Sequence, residues 1–415
     1  MQIIKPVTVT NAILTSSTVP ETDYAEWNAA STYAVGDKVI VIGVTHKIFE
    51  SLTAGNINQN PVGGDGTQWL TLGATNRWKA FDQKIADQVI KQDSINYVFG
   101  SYNSNVTSLA LFNLLGISTN VTVTDADLLN TTYAITVATG TRYDGSTGNV
   151  FVFDASSRPT VTFRRGNTYI FTQSASSNVG HQIAIRQTSG TAWTSGVTTT
   201  GTLGTDSVTT FVVPNNAPDG LQYYCVTHGI NMGNDITVKG AGEVYNTTVS
   251  LIDNRNIVDW FTYFFEDQVQ KETAQFIDIP PYRNAAISVT VTANTGEDAK
   301  LGQIVFGYLT DIGATTYGTS ISIEDFSRKE TDAFGNFIVV QRAFSQLADF
   351  DVEFETPNAR RIQRTLAGLR AVPVVYIGSN DTAYGTTIYG FYRRFDLTLE
   401  TPSLSFGAIE VEGLT

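Results

Sequence analysis

Hydrophobic and polar residues alternate along most of this chain, and helical spacing is rare. SINYVFG (94–100), HQIAIRQ (181–187) and AAISVTVTA (285–293) put apolar side chains at every second position, as half-buried strands do. Similar runs are EVYNTTVSLID (243–253), VDWFTYFFE (258–266), QFIDIPPY (275–282) and VPVVYIG (372–378), all read as strands. SLALFNLLGISTNVTVTD (108–125) is read as buried strand, although LALFNLLG taken alone also suits a helix. Only NARRIQRTLAGL (358–369) is convincingly helical, with Ile362, Leu366 and Leu369 on one face. The chain closes on two alternating strands, YGFYRRFDLTLE and SLSFGAIEVEGL, separated by Thr401-Pro402.

This pattern predicts a mainly β, multidomain protein. An N-terminal arm (1–23) precedes a small β module (24–75), in which Gly36-Asp37 reads as a hairpin turn between Tyr33 and Val39. Residues 76–127 and 243–415 read as two parts of one antiparallel β-sandwich or jelly-roll scaffold. The intervening block, 128–242, is richer in Ser, Thr and Gly. It holds six strand-like runs: NVFVFD, TVTFRRGNTYIFTQ, HQIAIRQ, VTTFVVP, LQYYCVTH and DITVKG. The runs flanking it would pair with each other if it were removed, as expected of a domain inserted at a hairpin tip.

Composition narrows the function. Of 415 residues, 26 are Lys or Arg and 39 are Asp or Glu, a net charge of −13, and no basic run suits a nucleic-acid backbone. No apolar run approaches the roughly 18 residues of a membrane span. Phosphate-loop, serine-elbow and zinc-protease motifs are missing, so no enzyme is expected.

One stretch breaks the plainness. LQYYCVTHGINMG (221–233) gathers the only cysteine, Cys225, one of three histidines, His228, and the only methionine besides Met1, Met232. A thiolate, two imidazoles and a thioether are the ligand set of a blue-copper centre. Cys225-x-x-His228-x-x-x-Met232 lets one loop supply three of these ligands, and His181 would come from a separate strand. The bland alternative makes Cys225 a buried apolar residue, His228 a polar loop residue and Met232 a gap filler.

With these residues the block 128–242 resembles the cupredoxins, which implies a Greek-key β-sandwich with copper held by His181, Cys225, His228 and Met232. Gln182 departs from that family, where asparagine is usual, and the ligand-loop brace is in question there. In the small module, Trp27, Tyr33, Gly36, Asp37, Val39, Phe49, Asn60, Pro61 and Trp69 form a pattern similar to chitin-binding modules of bacterial chitinases. That likeness implies a carbohydrate surface at Trp27, Tyr33 and Trp69; the same aromatics would equally form the core of so small a unit.

Outside the insert, SSTVPETDYAEWNAASTYAVGD, GATNRWKAFD, FIDIPPY, SRKETDAFGNFIVV and the C-terminal stretch resemble structural proteins of tailed bacteriophages. The resemblance implies a virion component of the tail, neck, baseplate or fibre region, synthesised in the bacterial cytoplasm. Its partners would be other virion proteins, further copies of itself and host-surface glycan. The alternative is a copper-binding or electron-transfer protein acting through the insert.

Overall fold

A computed structural model describes residues 1–43, 45–100, 105–125, 131–240, 242–267, 269–282, 285–331 and 334–415. The boundary expected at 127/128 lies outside the described residues. The protein is mainly β and consists of two compact units, Met1–Thr122 with Asn246–Thr415, and Val123–Tyr245.

The larger unit is built on an antiparallel ten-stranded sheet. Gln2–Pro6 sits inside it, pairing with Gln303–Asp311 on one side and Val374–Ile377 on the other. The expected N-terminal arm is therefore corrected: its first residues are a central strand. Successive strand residues point to opposite faces, so Ile3 and Ile4, both fully buried, enter two different cores. On the Ile3 side the sheet is covered by a helix, Ala359–Gly368, which inserts Ile362 and Leu366 beside Phe350 and Tyr376. This is the helix that the spacing of NARRIQRTLAGL predicts.

SLALFNLLGISTNVTVTD forms the strands Ser108–Phe112 and Ser118–Asp125, as its strand reading expects, and no helix. Two expectations change. Gly36 and Asp37 do turn the chain, with Gly36 at a φ of +88° and the Asp37 carboxylate accepting from the Ala34 N–H. They do not join a hairpin, because Thr32–Tyr33 pairs with Asn56–Ile57 while Lys38–Val41 pairs with Lys47–Ser51. VDWFTYFFE, read as a strand, contains the helix Trp260–Phe265. Asp259 explains it: its carboxylate accepts from the Thr262 N–H at 2.8 Å, and the Thr262 hydroxyl accepts from the Asp259 N–H at 3.0 Å. This reciprocal cap satisfies helix-end donors that a strand reading ignores.

The smaller unit is a sandwich of two sheets. A six-stranded sheet carries Thr131–Thr141 and Thr168–Gln173; a four-stranded sheet carries Ile183–Gln187, Gly220–Cys225 and Gly229–Lys239. Side chains from both sheets, including Phe153, Phe171, Phe211, Ile185 and Tyr223, share one core. Two neighbouring pairs run parallel, Thr131–Thr141 with Thr168–Gln173 and Val161–Arg164 with Gly229–Lys239, so the sheets are mixed. Thr131–Thr141 falls in no predicted run, since its apolar residues are thinly spread among threonines. Ser118–Asp125 and Glu243–Ser250, which lead into and out of this unit, are neighbours in a five-stranded sheet.

Candidate functional site

Cys225 is the last residue of a strand that pairs on one side with Ile183 and on the other with Gly229. Pairing on both sides buries it fully. A three-residue turn follows and carries His228 to the surface before the chain returns at Gly229, whose φ of +68° suits a residue without a Cβ. His181 stands two residues before Ile183–Gln187, directly after Gly180 at a φ of +80°. The pairing of Ile183 with Cys225 is what brings the sequence-distant histidine to the loop.

The three donor atoms converge. His181 Nδ1 and His228 Nδ1 are 3.1 Å apart, and Cys225 Sγ lies 3.9 Å from the first and 3.4 Å from the second. A triangle with these sides has its equidistant point about 2.0 Å from each donor, close to the length of a bond from imidazole or thiolate to a transition metal. The residues present therefore fit such an ion. The donor set, one soft thiolate and two imidazoles, is that of copper or zinc. Met232 is fully buried in the same core as Cys225.

Burial, and next the neighbouring His228 imidazole, hold the His181 pKa below its ordinary value. The two Nδ1 atoms, 3.1 Å apart, lie at hydrogen-bonding distance of each other.

Behind the candidate donors lies an amide network. Gln173 and Asn178 are fully buried. The Gln173 side chain donates to the His181 carbonyl at 2.7 Å and accepts from the Ile183 N–H at 3.0 Å. Asn178 donates to the Ile135 carbonyl at 2.7 Å, and its own carbonyl accepts from the His181 N–H at 2.8 Å. Gln182, where the brace was in question, donates to Gln173 at 3.1 Å and Thr209 at 2.9 Å. Its carbonyl accepts from the Val226 N–H inside the cysteine loop. The glutamine thus ties the His181 segment to both sheets and to the loop. Gln173 escaped the sequence reading because an amide at the end of a Thr-rich strand looks like an outward polar residue, and Asn178 because it sits in the polar turn Ser176–Asn178, where asparagine reads as solvent-facing.

The third histidine is used elsewhere. His46 Nδ1 lies 2.8 Å from Glu21 Oε1, and its ring stacks on Trp78 at 4.0 Å. Glu21 also accepts from Thr75, fastening residues near the N-terminus to the small module.

Trp27, Tyr33 and Trp69 do come together, as part of the module's core with Val39 and Phe49. Trp69 is only 6% exposed, meets Tyr33 edge-on at 5.2 Å and donates its indole N–H to the Gln59 carbonyl. A buried ring has no free face for a sugar, so of the three only half-buried Trp27 and Tyr33 offer ring surface to solvent. Trp69→Ala is expected to destabilise the protein by about 3–5 kcal/mol in denaturant titration, as loss of a core tryptophan does. Glycan contact is better examined with Trp27→Ala.

The largest departure from an ordinary surface is the helix Trp260–Phe265. None of its residues is buried: Trp260 is 78% exposed, Phe264 67% and Phe265 74%. A helix apolar on every side normally lies in a core. A second apolar element is the strand Phe337–Val340, four exposed residues paired with Arg328–Thr331.

No protein-family model matches the sequence, and no curated protein shows significant similarity to it.

Proposed function

We propose that the protein is a structural component of a tailed-phage virion, in the tail, neck, baseplate or fibre region, and that it works by association with other subunits. The observation that carries this reading is the Trp260–Phe265 helix, whose five aromatic rings are 59–78% exposed. Contiguous apolar surface of this kind is stable in solution only at a cost, and in soluble proteins it marks a contact site. The exposed Phe337–Val340 strand adds a second such site, and the β-rich scaffold is the frame that presents both. The phage assignment itself rests on the resemblance of the chain outside the insert. It is tested by incorporating Trp260→Ser/Phe264→Ser into phage that encode the chain. The wild-type chain is expected in purified particles by mass spectrometry, and the variant is expected to be lost from them while keeping its circular dichroism. Finding the wild-type chain only outside particles would overturn the reading.

A second reading is favoured by the donor triangle: the insert is a cupredoxin-like copper site, held by His181, Cys225 and His228 with Met232 as a weak fourth ligand. Bound copper would supply one-electron chemistry. Both readings are compatible in one chain, because the triangle and the aromatic helix lie in different units.

A further inference from the structure

The helix Trp260–Phe265 is flanked by carboxylates. Asp259 caps it, and Glu266 and Asp267 follow it, all three exposed. Among the described residues none of the three has a basic side chain within 4 Å. The same larger unit carries the inverse surface. On the helix Ala359–Gly368, Ile362 and Leu366 face the core, whereas Arg360, Arg361 and Arg364 are exposed, and Arg370 follows just beyond its end. Among the described residues none of these four arginines has a carboxylate within 4 Å, in a chain whose net charge is −13; Arg361 and Arg370 donate only to the main-chain carbonyls of Asp311 and Ala367.

We infer that the arginine face of one copy receives the acid-flanked aromatic helix of a second copy. Resting on the assembly reading, this names the partner. Guanidinium groups meet both halves of the ligand: they pair with carboxylates and stack on tryptophan, tyrosine and phenylalanine rings. Lysines would supply the charge without the stacking. The size also suits. Five rings that each bury roughly 150–250 Å² when covered, and are 59–78% exposed, present on the order of 700 Å² in all, the upper limit of what a partner surface wrapped around the helix would cover. A standard interface takes about 800 Å² from each partner. Arginines without a carboxylate partner in an acidic protein repel one another and gain most from an acidic surface, and every neighbouring copy carries one. The contact joins two different surfaces, so it propagates around a ring or is made twice in a two-fold dimer.

Sedimentation velocity of the full chain tests the pairing. The wild type is expected to self-associate. Trp260→Ser/Phe264→Ser and Arg361→Glu/Arg364→Glu are each expected to weaken that association by roughly 30-fold or more, the effect of losing a hot-spot residue. Mixing the two variants is the decisive arm. Each retains the surface that the other lacks, so the mixture is expected to form a complex that neither forms alone. The inference falls if the arginine variant associates like wild type, or if the mixture stays monomeric while both variants keep their circular dichroism. It falls too if the wild type stays monomeric while its arginine face binds duplex DNA, or its aromatic helix binds phosphatidylcholine vesicles. A monomeric wild type whose aromatic variant is nevertheless lost from particles sinks the homotypic pairing and leaves the assembly reading standing. An aromatic variant incorporated like wild type sinks both.

Discussion

Cu(II) added to the reduced protein is expected to give an intense visible charge-transfer band, and Cys225→Ser is expected to lack it. Cys225 is the sole thiol in the chain and the only soft donor of the triangle. A serine hydroxyl in its place remains protonated near neutrality and binds soft metal ions poorly. The loss of affinity is expected to exceed the 10- to 100-fold that removing a partner behind a ligand produces. Met232→Leu is the contrasting variant. The Met232 thioether would be at most a weak donor to a bound copper ion, so the band should persist with a shifted reduction potential. A wild-type protein that takes up copper without the band would overturn the assignment of Cys225 as a ligand.

Acidification works in the same direction as the serine variant. Ligation requires neutral imidazoles and a thiolate, so protons compete with the metal. Because the folded-state pKa of His181 lies below the unfolded value of about 6.5, the unfolded chain takes up this proton first. The stability linked to His181 is therefore complete above that value and is lost as pH falls toward the lowered folded value. Thermal melts of the metal-free protein at successive pH values are expected to show this loss, and His181→Gln is expected to flatten it.

The second large effect is expected from Gly233→Ala. Gly233 lies in the strand Gly229–Lys239, where the pairing with Gly220–Cys225 slips between Tyr223 and Cys225. A Cβ built at Gly233 would overlap the backbone carbonyl of Tyr223 and crowd the Tyr224 Cα. Neither is a flexible side chain that can swing aside, so the strands must separate where they deliver Cys225. A destabilisation of about 4 kcal/mol or more is expected, at the far end of single substitutions. Denaturant titration measures it, and copper uptake should fall with it. Unchanged stability would mean that the strands do not approach each other so closely.

The candidate donors were legible in the sequence because Cys225, His228 and Met232 fall within eight residues and their residue types are rare in this chain, although the fold puts only His228 in the turn, with Cys225 and Met232 on the two flanking strands. The support was not. Gln173 stands at the inward end of the alternating run TYIFTQ, and only the fold shows that an amide can be satisfied there. Strand content was legible in most of the alternating runs, such as SINYVFG and AAISVTVTA, but Phe344–Glu355 was passed over although its apolar residues also alternate. Gln2–Pro6 escaped because its buried pair, Ile3 and Ile4, are adjacent, a pattern that only a sheet covered on both faces produces. The Trp260–Phe265 helix was misread because aromatic residues favour strands in general, whereas its end is set by one local pair, Asp259 and Thr262.

The position of Gln2–Pro6 bears on how the chain reaches its native state. Its neighbours are Gln303–Asp311 and Val374–Ile377, some three hundred residues or more downstream. The middle of the ten-stranded sheet therefore cannot close during synthesis until residue 377 has left the ribosome, and Ile3 and Ile4 wait uncovered until then. A topology so dominated by distant contacts folds slowly and exposes sticky edges on the way. Expression at reduced temperature or with added chaperone should accordingly raise the soluble yield of this protein more than that of a helical one of equal length.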